Sequence, residues 1–174
     1  MIPIRDTAPC HSTPYVTWTI MSICIGIFIG MKLMPDQAAI TLLHQYGMVP
    51  ARYSGVSTEL PFDGYLSFVT NLFLFLHATW THLLVNMWFM WIFGDNIEDR
   101  MGRLRFLCFY LICGVFATLL QWYFDPTLEI PVIGASGAIA GVLAAYFFMY
   151  PMEQVIVFFP PMLFNVPAIA FLGL

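Results

Sequence analysis

His82 and Asn86 stand four residues apart in an otherwise apolar stretch, a spacing that puts both on one face of a helix. An imidazole and a carboxamide placed there can donate hydrogen bonds to charge developing on an oxygen. Interhelical hydrogen bonding that glues one helix to its neighbour accounts for the same pair. Farther along, Ser136 lies in the run Gly134-Ala135-Ser136-Gly137-Ala138-Ile139-Ala140-Gly141. A serine just inside a helix N-terminus, flanked by glycines, exposes its hydroxyl while unpaired backbone N–H groups point toward a nearby oxyanion. That is a nucleophile's setting, although Ala138 breaks the full G-x-S-x-G elbow. Close packing explains the same glycines, because Gly137 and Gly141 form a G-x-x-x-G and Ala140, Ala144 and Ala145 extend a small-residue face. A serine attacks only with a base to take its proton and donors for the tetrahedral oxyanion. Ser136 is the candidate attacker and His82 with Asn86 the candidate donors, while His11 and His44 sit in loops and receive no role.

The elements that carry these residues must fold in a bilayer. Of the 174 residues, 60% are hydrophobic and 9% charged, with 17 Phe, 11 Met and 5 Trp, against roughly a quarter charged in a soluble domain. The mean hydropathy is +0.82, which leaves too little polar surface to cover a compact soluble body. The net charge of -4 offers no basic stripe, which excludes nucleic acid as an expected partner. Cys10, Cys24, Cys108 and Cys113 form no C-x-x-C pair and three lie in apolar stretches, so neither a disulfide framework nor a zinc site is expected. The N-terminus lacks a signal-peptide pattern, and its first apolar run reads as a retained helix.

Residues 1 to 13 form a polar N-terminal segment, and a membrane domain is expected over 14 to 174. Span one is predicted from Pro14 to Met34, about the twenty residues a bilayer requires. Residues 35 to 64 suit an interfacial loop with short helices. The apolar run from Tyr65 to Phe93 is interrupted by Asn71, His77, Thr79, Thr81, His82 and Asn86, so span two is placed at about Trp80 to Gly94. The charged run Gly94 to Arg105 reads as a water-facing loop, Phe106 to Phe124 as span three and Asp125 to Pro131 as a short polar loop. Span four should open near Gly134 and end by Tyr150, because Pro151 follows. After Glu153, Pro160 and Pro161 a fifth apolar helix begins before Leu174. Arg5, Arg100, Arg103 and Arg105 against Lys32 and Arg52 put the N-terminus in the cytoplasm. His82, Asn86 and the first turn of span four then share one depth at the outer face.

The run His77-Ala-Thr-Trp-Thr-His82-Leu-Leu-Val-Asn86, the segment Gly94 to Gly102 with Glu98 and Arg100, and Gly134-Ala135-Ser136-Gly137, in this order and separation, resemble the rhomboid intramembrane serine proteases. The resemblance covers about residues 10 to 174, and Val166-Pro167-Ala168 looks like the start of that family's fifth helix. It implies an all-α, polytopic six-helix bundle, of which four spans and the start of a fifth are present. It implies Ser136 as nucleophile, His82 and Asn86 lining the oxyanion hole, Gly134 giving backbone room, and His77 supporting the outer end of span two. Glu98 and Arg100 would tie the cytoplasmic loop together. No metal or organic cofactor is implied, and the partners would be transmembrane protein substrates in the lipid bilayer of the cell membrane.

The family's general base is a histidine on the sixth helix, and the chain has none after His82. The expectation is therefore an N-terminal piece of a longer protease, with little proteolysis by these residues alone. Two rivals stand beside it. One is a catalytically inactive rhomboid-like protein that binds membrane helices. The other is a small transporter or channel subunit, against which stands the absence of an inward Asp, Glu, Lys or Arg in any span.

Overall fold

The computed structural model describes residues 1–55 and 72–173. The stretch holding Tyr65 and Asn71, residues 56–64 of the expected long loop, and Leu174 lie outside the described residues. The chain is mostly helical: α1 (Tyr15–Lys32), α2 (Asp36–Tyr46), α3 (Pro50–Tyr53), a 3-10 turn (Leu72–Phe75), α4 (Trp80–Met101), α5 (Arg103–Phe124), α6 (Ser136–Met149) and α7 (Ala168–Leu172).

Two layers of contact fix which helix ends lie together. At one end the Phe28 and Trp80 rings meet edge-on at 4.8 Å, joining the C-terminal part of α1 to the start of α4. At the other end the Arg103 guanidinium sits 4.6 Å from the Tyr15 ring centroid, joining the starts of α5 and α1. There the buried Glu98 carboxylate accepts the Val16 N–H at 2.9 Å and the Thr17 N–H at 2.7 Å. Pro14 precedes α1 with no capping side chain of its own, so a carboxylate from α4 meets orphan donors that every helix start exposes. The negative charge also opposes the positive end of the helix dipole. Gly94 admits the Thr17 side chain, which lies 3.1 Å from where a Cβ would stand.

The expected loop Gly94 to Arg105 is corrected by this arrangement. Residues 94–101 are the last two turns of α4 and residues 103–105 the first turn of α5, with only Gly102 between them at φ +80. The N-terminal segment supplies partners for part of this run: Asn96 Nδ2 donates to the Ala8 carbonyl at 3.1 Å, and the His11 N–H donates to Asp99 Oδ2 at 3.1 Å, while Arg100, Arg103 and Arg105 stay exposed.

The all-α expectation is corrected as well. Three strands, β1 (Ile2–Asp6), β2 (Gln154–Phe159) and β3 (Met162–Pro167), form an antiparallel sheet in the order β1-β2-β3. Val155, Ile156, Val157, Phe158 and Phe159 make a β-branched and aromatic run that favours a strand. Val155 and Val157 turn inward and are fully buried. The Tyr146 hydroxyl on α6 donates to Asp6 Oδ2 at 2.5 Å, which ties the sheet to that helix. Among the described residues, Tyr15–Lys32 and Arg103–Phe124 are long and apolar enough to cross a bilayer, while the apolar Ser136–Met149 has 14 residues. The expected count of four spans is therefore not confirmed: the polar His82, Asn86, Asp95 and Asn96 make α4 less apolar, and α6 is short. Pro167 caps α7, which opens at Ala168 where the fifth helix was expected.

Glu98→Ala removes the acceptor for two buried N–H groups and is expected to lower the unfolding free energy in detergent by about 3 kcal/mol. A change below about 0.5 kcal/mol, within the range of ordinary surface substitutions, would remove the cap from the account.

Candidate active site

Ser136 is the first residue of α6 and its side chain is exposed. The first bond that closes a turn of this helix runs from the Ile139 N–H to the Ala135 carbonyl at 2.9 Å. The N–H groups of Ser136, Gly137 and Ala138 precede it, so no helical carbonyl stands in position for them. The approach to Ser136 is held from both sides. Met48 and Val132 exchange backbone hydrogen bonds of 3.2 and 2.7 Å, and the Gly134 N–H donates to the Phe73 carbonyl at 2.8 Å. These contacts fix where α6 begins.

Gly134 has φ +107, a conformation that L side chains rarely adopt. A Cβ there would lie 2.5 Å from His82 Cε1 and 2.6 Å from Nε2, so the imidazole packs directly on the glycine two residues before the serine. Glycine is required here both by backbone conformation and by the ring above it. The shared depth expected for His82 and the start of the fourth apolar helix is thus present as a contact.

His82 is itself positioned at a helix start. Thr79 precedes α4 in extended conformation, and its hydroxyl accepts the His82 N–H at 3.2 Å, the usual work of a threonine N-cap. His77, fully buried, lies on the other side, its ring 5.0 Å from that of His82. His77 Nδ1 is 3.2 Å from the Phe75 carbonyl and Nε2 is 3.0 Å from Asn86 Nδ2. Those partners assign the neutral tautomer that donates through Nδ1 and accepts through Nε2. Burial, and next the neighbouring His82, push the His77 pKa down from 6.5 to about 4, with the Phe75 carbonyl opposing.

The i, i+4 pair His82 and Asn86 does share one face of α4, and the structure adds His77 to it as the partner of Asn86. The described residues give the Ser136 hydroxyl no hydrogen bond to His82 or Asn86. A cavity of about 210 Å³ opens beside the serine, lined by Ser136, Gly134, Gly137, Thr118 and Gln121 among others. Sequence reasoning passed over Thr118 and Gln121 of α5, and it noted Thr79 only as a polar interruption. Thr79 was findable as a threonine immediately before a helical run. The partnership of Gln121 with this cavity depends on how α5 meets α6 and has no local signal.

That meeting is close. A Cβ on Gly137 would fall 2.5 Å from the Ala117 Cβ, and one on Gly141 would fall 2.5 Å from Cys113 Sγ. The small-residue packing expected of Gly137 and Gly141 is therefore realised against α5, in the same helix that displays Ser136 at its end.

Comparison with known proteins adds independent ground. The Rhomboid domain family model matches residues 64–174, more than half of the chain. Rhomboid-like protein 11, chloroplastic, of Arabidopsis thaliana is 40% identical over 83 residues, covering 48% of this chain and 29% of the relative. Putative rhomboid protease YdcA of Bacillus subtilis is 37% identical over 76 residues, covering 44% and 38%. Rhomboid protease GlpG of Salmonella typhi is 27% identical over 134 residues, covering 75% and 42%. The chain thus spans less than half the length of each of these relatives.

The neutral state of His77 makes stability depend on pH with a definite sign. An unfolded chain takes up the proton near pH 6.5, and the folded one only near pH 4. The contribution is therefore complete above pH 6.5 and is lost as pH falls through that window. Unfolding free energies in detergent should rise between pH 4 and 6.5 with a slope that exceeds that of His77→Gln by up to about one proton. Equal slopes would show that His77 is not held neutral.

Proposed function

The chain belongs to the rhomboid family, and we propose that the protein containing it is an intramembrane serine endopeptidase that cleaves transmembrane segments of other membrane proteins. The observation that carries this reading is the exposed Ser136 at the first position of α6, with the His82 imidazole packed on Gly134 two residues before it. In this reading Ser136 Oγ attacks the scissile carbonyl and an acyl-enzyme forms. The backbone N–H groups at the start of α6, with His82 and Asn86, receive the oxyanion. His77 is a positioning residue that orients the Asn86 amide. The cavity lined by Gln121 and Thr118 has room for several waters at about 30 Å³ each, which supports deacylation by a water beside the acyl group.

A base must take the Ser136 proton. Both ring nitrogens of His77 have partners already, and the reading keeps His82 as an oxyanion donor. The base is proposed to be a histidine in a part of the protein outside these 174 residues. No metal or organic cofactor is needed for this chemistry. A cytoplasmic N-terminus and cleavage of substrate helices near their outer ends rest on the distribution of Lys and Arg, and residence in the cell membrane belongs to the same proposal. A substrate helix must unwind locally to bring its carbonyl to Ser136, because a helical carbonyl is already hydrogen-bonded.

One observation favours a second reading, a rhomboid-like protein that binds membrane helices without cutting them. Among the described residues the Ser136 hydroxyl has no hydrogen bond to His82 or Asn86. Retention of Ser136, His82 and Asn86 together favours the protease, since a binding surface has no need of an oxyanion site.

Cleavage of a transmembrane reporter by the protein as the cell makes it should be abolished by Ser136→Ala, with the folded state retained. Asn86→Ala should lower turnover by about 10²-fold, the typical cost of one oxyanion donor. Cleavage that survives Ser136→Ala would overturn the nucleophile, and an Asn86→Ala rate equal to wild type would remove Asn86 from the site.

A further inference from the structure

The three-stranded sheet is amphipathic along its length as well as across its faces. Strand pairing sets Ile2, Phe158 and Leu163 in one outward row, and Arg5, Ile156 and Asn165 in the next outward row toward the sheet's base. The turn that joins β2 to β3 carries Phe159, Pro160, Pro161 and Met162, with Phe159 and Met162 exposed. Pro is a common turn residue, but the turn residues usual in water are otherwise Gly, Asn, Asp and Ser, whereas here the prolines are flanked by Phe and Met. No charged residue occurs in the sequence after Glu153.

The polarity of the sheet follows that of the helix beside it. At the apolar end, Trp88 Nε1 of α4 donates to the Pro3 carbonyl at 2.6 Å. At the polar end, Asn96 and Asp99 bind the Ala8 carbonyl and the His11 N–H. Trp88 precedes Asp95, the first charged residue of α4, by about 10 Å of helix at 1.5 Å per residue. The apolar end of the sheet therefore sits about that far below the charged end of α4. The adjoining α6 has 14 residues, about 21 Å of helix, against a hydrocarbon core of about 30 Å. Its last turn leaves Phe148 and Met149 exposed, and Met152 after it is exposed too. These residues adjoin the base of the sheet, where the Tyr146 hydroxyl meets Asp6.

From these juxtapositions we infer that the β2–β3 hairpin is a membrane-interface wedge, its turn and outward apolar row immersed among acyl chains and its Arg5 and Asn165 row level with the headgroups. The immersed depth matches the roughly 5–10 Å by which interfacial elements enter the headgroup and acyl boundary. The free edge of β1 is prepared for that setting. Pro3 has no N–H to leave unpaired, and the Trp88 indole takes its carbonyl, which meets the demand that backbone groups away from water find partners inside the protein. Arg5, exposed on the outward face, is long enough to reach lipid phosphates from the base of the sheet.

The test is a nitroxide at Leu163→Cys, in protein with Cys10, Cys108 and Cys113 changed to Ser, reconstituted in phosphatidylcholine vesicles. Collision of the label with oxygen, which concentrates in lipid, is compared with collision with a water-soluble nickel complex. Labels at Phe116→Cys, on the exposed apolar side of α5, and at Arg5→Cys serve as lipid and headgroup references. Oxygen collisions at position 163 should exceed nickel collisions several-fold, near the ratio at Phe116, and the preference should fall or reverse at Arg5. A nickel-dominated label at 163 would place the hairpin in water. Low collision rates with both reagents would show another protein segment or a second copy covering it. Either result overturns the wedge. Met162→Cys repeats the measurement if Leu163→Cys disturbs strand pairing, and none of these readouts depends on proteolytic activity.

Discussion

A chain with so few charges, read as folding in a bilayer, must find partners for its buried polar atoms within itself, because hydrocarbon supplies none. Most of the architecture is an answer to that demand. Glu98 satisfies the start of α1 from a different helix. The Thr118 hydroxyl returns to the Gly114 carbonyl of its own helix at 3.0 Å. His77, Asn86 and Phe75 close a chain of hydrogen bonds around a buried imidazole. Each of these removes a cost of burial, and each also fixes an orientation, so the polar pairs that permit folding in lipid are the same ones that align the helix ends.

The position of Ser136 depends equally on what is missing. Gly137 and Gly141 let α6 lie against Ala117 and Cys113 of α5, and Gly114 of α5 in turn receives the Leu74 side chain. Larger residues would push α6 away and move its first turn from under His82. The packing and catalytic accounts of the glycine run are therefore not competitors. One small-residue face seats the helix, and the seated helix presents a serine and its unpaired N–H groups beside an imidazole.

Legibility in the sequence followed the range of the interactions. The start of α4 at Trp80 and the end of α5 at Phe124 were readable, because hydrophobic runs and Asp125 act within a turn of the boundary they set, while the opening of α7 after Pro167 was readable from the family resemblance. The common face of His82 and Asn86 needed only helical periodicity. The sheet was not readable, because β1 finds its partner strand across nearly the whole chain and Ile2-Pro3-Ile4-Arg5-Asp6 is too short to announce a strand alone. The charged run from Gly94 was misjudged for the same reason. Local composition says solvent, whereas Ala8, His11, Val16 and Thr17 supply the partners that let the helix continue to Met101. In the site, the bond between His77 and Asn86 was missed because nine residues and a helix start separate the two.

The central claim is that Ser136 is a nucleophile activated in the folded protein. Treating the membrane-reconstituted protein, as the cell makes it, with a fluorophosphonate and mapping the adduct by peptide mass spectrometry tests it most directly. The account predicts one phosphonylated residue, Ser136, with labelling lost when the protein is unfolded before treatment. A folded protein that takes up no label, or takes it up at another serine, would contradict it and leave helix binding without cleavage as the better description.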